Sequence, residues 1–134
     1  MTIPADHKFF NACSTGKSEL VRTLLAAGVD PESRDSNQFT GLIWAGRKGH
    51  IDVAEALLSY GANAEAGDAR RRTPLFHATT YQRYKFVQFL AARGANLTPV
   101  DTHGWSPLDF SLCSHHKKMS ELLVSLGAKS ANCA

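Results

Sequence analysis

Glycine returns every 33 residues, at Gly28, Gly61, Gly94 and Gly127, and much of the chain keeps the same step. Leu24, Leu57, Leu90 and Leu123 share it. So do Ala12, Ala45 and Ala78; Leu42, Leu75 and Leu108; and Asp35, Asp68 and Asp101. A hydroxyl series, Thr40, Thr73 and Ser106, runs in register with them. No insertion or deletion interrupts the register. A repeat this short cannot bury its own apolar face, so successive units must stack to build a continuous core.

Each unit reads alike. In "TGLIWAGRKGH" a short helical stretch ends at Gly49. In "IDVAEALLSYG" Ile51, Val53, Ala54, Leu57 and Leu58 form a helical apolar stripe, stopped at Gly61 by a left-handed residue. The recurring Asp falls in the polar connection, where Asp favours turns. Each unit is therefore helix, tight turn, helix, loop.

"STGKSEL", Ser14 to Leu20, contains the Gly-Lys-Ser of a phosphate-binding loop. Such a loop needs a second Gly five residues earlier and a preceding buried strand. Asn11 stands at that position, and no run of β-branched residues precedes it. Gly16 instead shares the column of Gly49, so it makes the first inter-helix turn, and Ser18 is expected to cap the second helix.

"TPLFHA" (Thr73 to Ala78), "SPLDFS" (Ser106 to Ser111) and "GHIDVAEALLSYGANAEA" (Gly49 to Ala66), with "LLAAGVDP" and "LAARGANL", resemble the ankyrin repeat along nearly the whole chain. The resemblance implies an all-α solenoid of four helix-turn-helix repeats with short β-turn fingers. The expected repeats are 4–34, 35–67, 68–100 and 101–131, in a single domain covering 1–134. The departures carry their own expectations. Gly41 replaces the family's Pro in the second repeat. Ile43, Phe76 and Asp109 replace its His, so a local hydrogen bond should be missing. Gln38 and Arg71 stand where Gly104 keeps the loop glycine, and each should be strained if the loop needs a positive φ. The first and fourth units read as caps.

Composition bounds the rest. At 43% apolar and 20% charged residues the chain is ordinary for a globular protein. No apolar run is long enough to cross a membrane, and "MTIPADHKFF" has no signal-peptide core. Three cysteines without framework spacing imply free thiols and a cytoplasmic setting. Cys13 and Cys113 lie three repeats apart, on the order of 30 Å at ordinary helix spacing. Adjacent His115 and His116 cannot easily face one tetrahedral ion, so no metal is expected. Cys113, His103 and Asp101 are close in sequence, but Asp101 belongs to the repeat's own column and a solenoid offers no closed pocket. No enzyme, cofactor or small-molecule substrate is expected.

Charge is uneven. Residues 1–67 hold six Lys/Arg against eight Asp/Glu, and residues 68–134 hold nine against four. Arg70, Arg71 and Arg72, with Tyr81, Tyr84 and Trp105 nearby, raise single-stranded nucleic acid as an alternative partner. A repeat of paired helices offers neither a groove-entering helix nor a stacking sheet, which favours protein. In ankyrin proteins the loop tips and the open side of the first helix bind the partner. Carried over, this implicates Phe39, Arg47, Lys48, Arg70, Arg72, Tyr81, His103 and Trp105. The column of Phe39, Arg72 and Trp105 should face solvent, or, on a duller reading, pack on neighbouring loops. The resemblance thus implies a module that occludes or regulates an acidic partner protein, as an inhibitor, immunity protein or scaffold would.

Overall fold

The computed structural model describes residues 5–131; residues 1–4 and 132–134, which include Cys133 and the first residue of the expected first repeat, lie outside them. The described residues form eight α-helices and no strand: α1 His7–Thr15, α2 Ser18–Ala26, α3 Gly41–Lys48, α4 Ile51–Ser59, α5 Pro74–Thr80, α6 Tyr84–Ala92, α7 Pro107–Cys113 and α8 Lys117–Ser125. They pair in chain order. The first helices pack in series, α1 on α3, α3 on α5 and α5 on α7, while α2 packs on α4. The result is the all-α solenoid of four helix-turn-helix repeats that the register requires.

The hydroxyl column caps the first helices. Thr40 Oγ1 accepts the N–H of Ile43, Thr73 Oγ1 that of Phe76, and Ser106 Oγ that of Asp109, at 3.2–3.3 Å. Pro74 and Pro107 then occupy the first helical position, where no N–H is needed. Gly41 takes that place in α3 because a Cβ there would meet Cys13 Sγ at 2.9 Å and the Phe9 ring at 3.2 Å. The local bond expected to be missing is restored in the fourth repeat. Asp109 Oδ2 accepts the backbone N–H of Ser106 at 2.9 Å, completing a reciprocal capping box. A carboxylate accepts at this position as well as an imidazole does.

Gly16 makes the first inter-helix turn, with φ 81°. Ser18 does not cap α2. The turn is so tight that the helix starts at Ser18 itself, leaving Lys17 as a cap without a side-chain bond. The second helices end at the 33-residue glycines. Val29, Ala62, Ala95 and Ala128 each donate back to the leucine column, Leu24, Leu57, Leu90 and Leu123. That closure needs a left-handed residue, and nothing lies within 4 Å of a Cβ at Gly61, Gly94 or Gly127, so backbone conformation alone selects glycine.

Leu57, Leu90 and Leu123 are buried, as their register requires. Leu24 is only half-buried. Val21 and Leu25 take the core positions of α2 instead. Among the described residues no helix is long and apolar enough to cross a membrane.

Candidate functional site

The three loop fingers are built by one residue type used three times. Asp35 Oδ1 accepts the N–H groups of Asn37 and Phe39; Asp68 Oδ1 those of Arg70 and Arg72; Asp101 Oδ1 those of His103 and Trp105, all at 2.8–3.0 Å. The finger tip turns through a residue with positive φ: Gln38 at 65°, Arg71 at 63° and Gly104 at 80°. The strain expected at Gln38 and Arg71 is therefore present in the backbone.

The second oxygen of each Asp ties the finger to a first helix. Trp44 Nε1 donates to Asp35 Oδ2 at 2.7 Å, and His77 Nε2 meets Asp68 Oδ2 at 2.9 Å. Trp44 and His77 share one column, and its fourth-repeat member is Phe110, which has no donor. Asp101 is completed from the preceding repeat: Arg72 Nε donates to its Oδ2 at 3.2 Å. Burial would push the Asp101 carboxyl up. The N–H groups of Trp105 and His103 and the Arg72 guanidinium outweigh it and hold the group below the usual carboxylate range.

The column of Phe39, Arg72 and Trp105 is half-buried and does not stand free in solvent. A finger overhangs the first helix of the next repeat. Phe39 packs edge-on against Trp44 and, 5.1 Å away, against His77 of the following unit. Arg72 lies over Phe76 and Phe110 while bonding Asp101. For Phe39 and Arg72 the packing role holds.

Around Arg47 the structure gathers what the sequence scatters. The guanidinium sits over three rings, Phe39 at 4.9 Å, Trp44 at 5.2 Å and Tyr81 at 4.5 Å. Its NH1 reaches His77 Nδ1 at 3.4 Å. His77 is buried between Asp68 and Arg47. Burial lowers its pKa more than the Asp68 bond raises it, so the ring is neutral near pH 7. The two partners assign the tautomer: Nε2–H donates to Asp68 and Nδ1 accepts from Arg47. A cavity of about 220 Å³ opens beside this cluster, walled also by Asn37, Ala69, Arg70 and Arg72.

The other expected residues separate. Arg70, Tyr81 and His103 are exposed. Trp105 is held at the finger of the fourth repeat through Asp101, its N–H donating to the carboxylate and its C=O accepting the Asp101 N–H. Lys48 leaves the group. It lines a groove at the inter-helix turns with Arg83, Lys85 and Lys118. The arginine triplet divides as well: Arg72 is spent on Asp101, Arg71 turns the finger and Arg70 stays outward, which weakens the nucleic-acid alternative. Asp101 turns one oxygen to the N–H groups of its own loop and the other to Arg72. Burial pushes the Cys13 thiol up to about 12, which keeps it unreactive at neutral pH. Among the described residues no three His, Cys, Asp or Glu side chains come together as metal ligands would.

Trp44 and His77 are the two site residues that sequence reasoning passed over. A signal existed: each follows its finger Asp by nine residues and carries a ring N–H.

A family model for ankyrin repeats, in three copies, matches residues 9–101 and, overlapping, 66–132. None of the curated proteins compared matches the chain.

Proposed function

The chain belongs to the ankyrin-repeat family, a family of protein-interaction modules, and from that premise we propose that it binds, and thereby occludes or regulates, an acidic partner protein through the face formed by its fingers and first helices. The observation that carries this reading is the cluster at the second and third repeats. Phe39, Arg47, Trp44 and Tyr81 form one aromatic-cationic surface, with Arg70 outward beside it. Tyr, Trp and Arg dominate interface energies because they combine large area with a polar handle. Arg70 and the outward arginines raise the association rate with an acidic surface, and the aromatics govern dissociation. The reading assigns no catalytic step. Its role is that of an inhibitor, immunity or scaffold protein, in the cytoplasm.

The test is site-specific photo-crosslinking in a lysate of the native host. A photoreactive residue at Tyr81 should give a discrete covalent adduct. The same residue at Gln88, on the outer helix α6, should give none. An adduct at Gln88 alone would move the interface to the outer helices.

A further inference from the structure

The Arg47 guanidinium is held as few surface cations are. Three rings crowd it, and its Nε is buried without a hydrogen-bond partner. Neither of the two ion pairs among the described residues includes it. With NH1 turned to His77, stacking on the rings holds the remaining edge, Nε with NH2, in a fixed orientation, the arrangement suited to two parallel bonds with one carboxylate. A buried N–H without a partner costs free energy until something supplies an acceptor.

The adjoining cavity sets the size of that acceptor. Its volume of about 220 Å³ falls below the roughly 300–1,000 Å³ of small-molecule sites, so it admits one side chain or chain end. Its own acid does not compete. Asp68 turns one oxygen to the N–H groups of Arg70 and Arg72 and the other to His77. Of the arginines that line it, Arg72 is paired with Asp101, while Arg47 and Arg70 belong to neither ion pair.

We propose that Arg47 is the anchor of the binding face, taking a single peptide carboxylate of the partner in the cavity between the fingers of the second and third repeats. This rests on the proposed partner-binding reading and names the group that the partner contributes. The aromatic rings fix the guanidinium before binding, so little side-chain freedom is lost when the carboxylate arrives. Phe39 and Arg70 flank the entering group.

Arginine Nε–H resonances of the full chain, followed by two-dimensional NMR at low salt, test this. The probes are N-acetylated, C-amidated decaglutamate, N-acetyl decaglycine with a free C-terminus, and N-acetylated, C-amidated decaglutamine as the neutral control. Decaglutamate should move the Arg47 Nε–H resonance, and Arg47→Lys should bind it about ten-fold more weakly, the loss expected of one charge-assisted fork. A shift with the decaglycine acid alone also supports the anchor and makes the group a chain terminus. Lys85→Glu, in the separate basic groove, should change neither. If decaglutamate moves the backbone amides of Arg70 and Tyr81 while Arg47 Nε–H stays still and Arg47→Lys binds as the parent does, the anchor is wrong and the face is right. If every acidic probe acts only around Lys85 and Lys118, both are wrong.

Discussion

Arg72 of the third repeat donates to Asp101 of the fourth, Nε to Oδ2, at 3.2 Å. In the two preceding fingers the equivalent aspartate is completed within its own repeat, by Trp44 or His77. The exchange follows from one residue: Phe110 stands where a ring N–H would be, and the arginine of the neighbouring finger supplies the donor. An intra-repeat bond becomes an inter-repeat one, which ties the last repeat to the stack.

That tie has a measurable worth. Asp101 is 1% exposed, and Arg72 keeps about a quarter of its side chain in solvent. Arg72→Met should lower the unfolding free energy by about 1–2 kcal/mol, the range for a partly screened bond to a charge. Asp101→Ala should cost about 2–4 kcal/mol, because it also strands the N–H groups of His103 and Trp105. Urea denaturation reads both. Equal losses would show that the finger does not depend on its aspartate.

The leucine column separates its members. Leu57→Ala should cost about 2–5 kcal/mol, the usual range for a buried leucine. Leu24→Ala should cost clearly less, since Leu24 is half-buried. Thermal or urea unfolding of the two variants checks the order, and a Leu24 loss as large as that of Leu57 would contradict the packing described.

Two fingers carry removable strain. Gln38→Gly and Arg71→Gly should each stabilise the chain by about 0.5–1 kcal/mol, the left-handed penalty less glycine's extra chain entropy. The reverse change, Gly104→Gln, should destabilise by a similar amount, since a Cβ added there would meet nothing within 4 Å and so bring no steric cost. Denaturation midpoints of the three variants should move in these directions. No movement would mean that the turns relax freely.

Stability should fall in two steps on acidification. His77 has a folded pKa below its ordinary 6.5. Its contribution is therefore complete above that value and is lost as the pH falls from there through the folded value. Asp101 is lowered, and Asp109 is lowered to about 2. For Asp109, burial opposes this, and bonds from Ser130, from the N–H and hydroxyl of Ser106 and from the N–H of Ala131 prevail. Both contributions are complete above the ordinary value of 3.8 and are lost as the pH falls below it, that of Asp109 through about 2. His77→Gln should remove the first step and Asp109→Asn should shrink the second, both read from denaturation across pH.

The repeat, its helices and its stop signals were legible because the chain states them several times over in one register. Periodicity reports what each unit does alike. It does not report how a finger of one unit lies on the helix of the next, so Phe39 and Arg72 looked solvent-facing. The Arg47 cluster joins residues 30 or more positions apart across two repeats, and no local pattern announces it. Ser18 and Asp109 failed for a smaller reason. A capping residue is recognised only when the helix start is known to the residue, and the tight turn moved one start while an uncommon acceptor filled the other.

Hydrogen exchange of the chain with and without its captured partner tests the central claim most directly. Partner binding should slow exchange in the fingers and first helices of the second and third repeats, residues 36–47 and 69–81. It should leave the outer helices α4 and α6 unchanged. Protection confined to α4, α6 and α8, with the fingers exchanging as in the free chain, would place the interface on the opposite side and contradict the account.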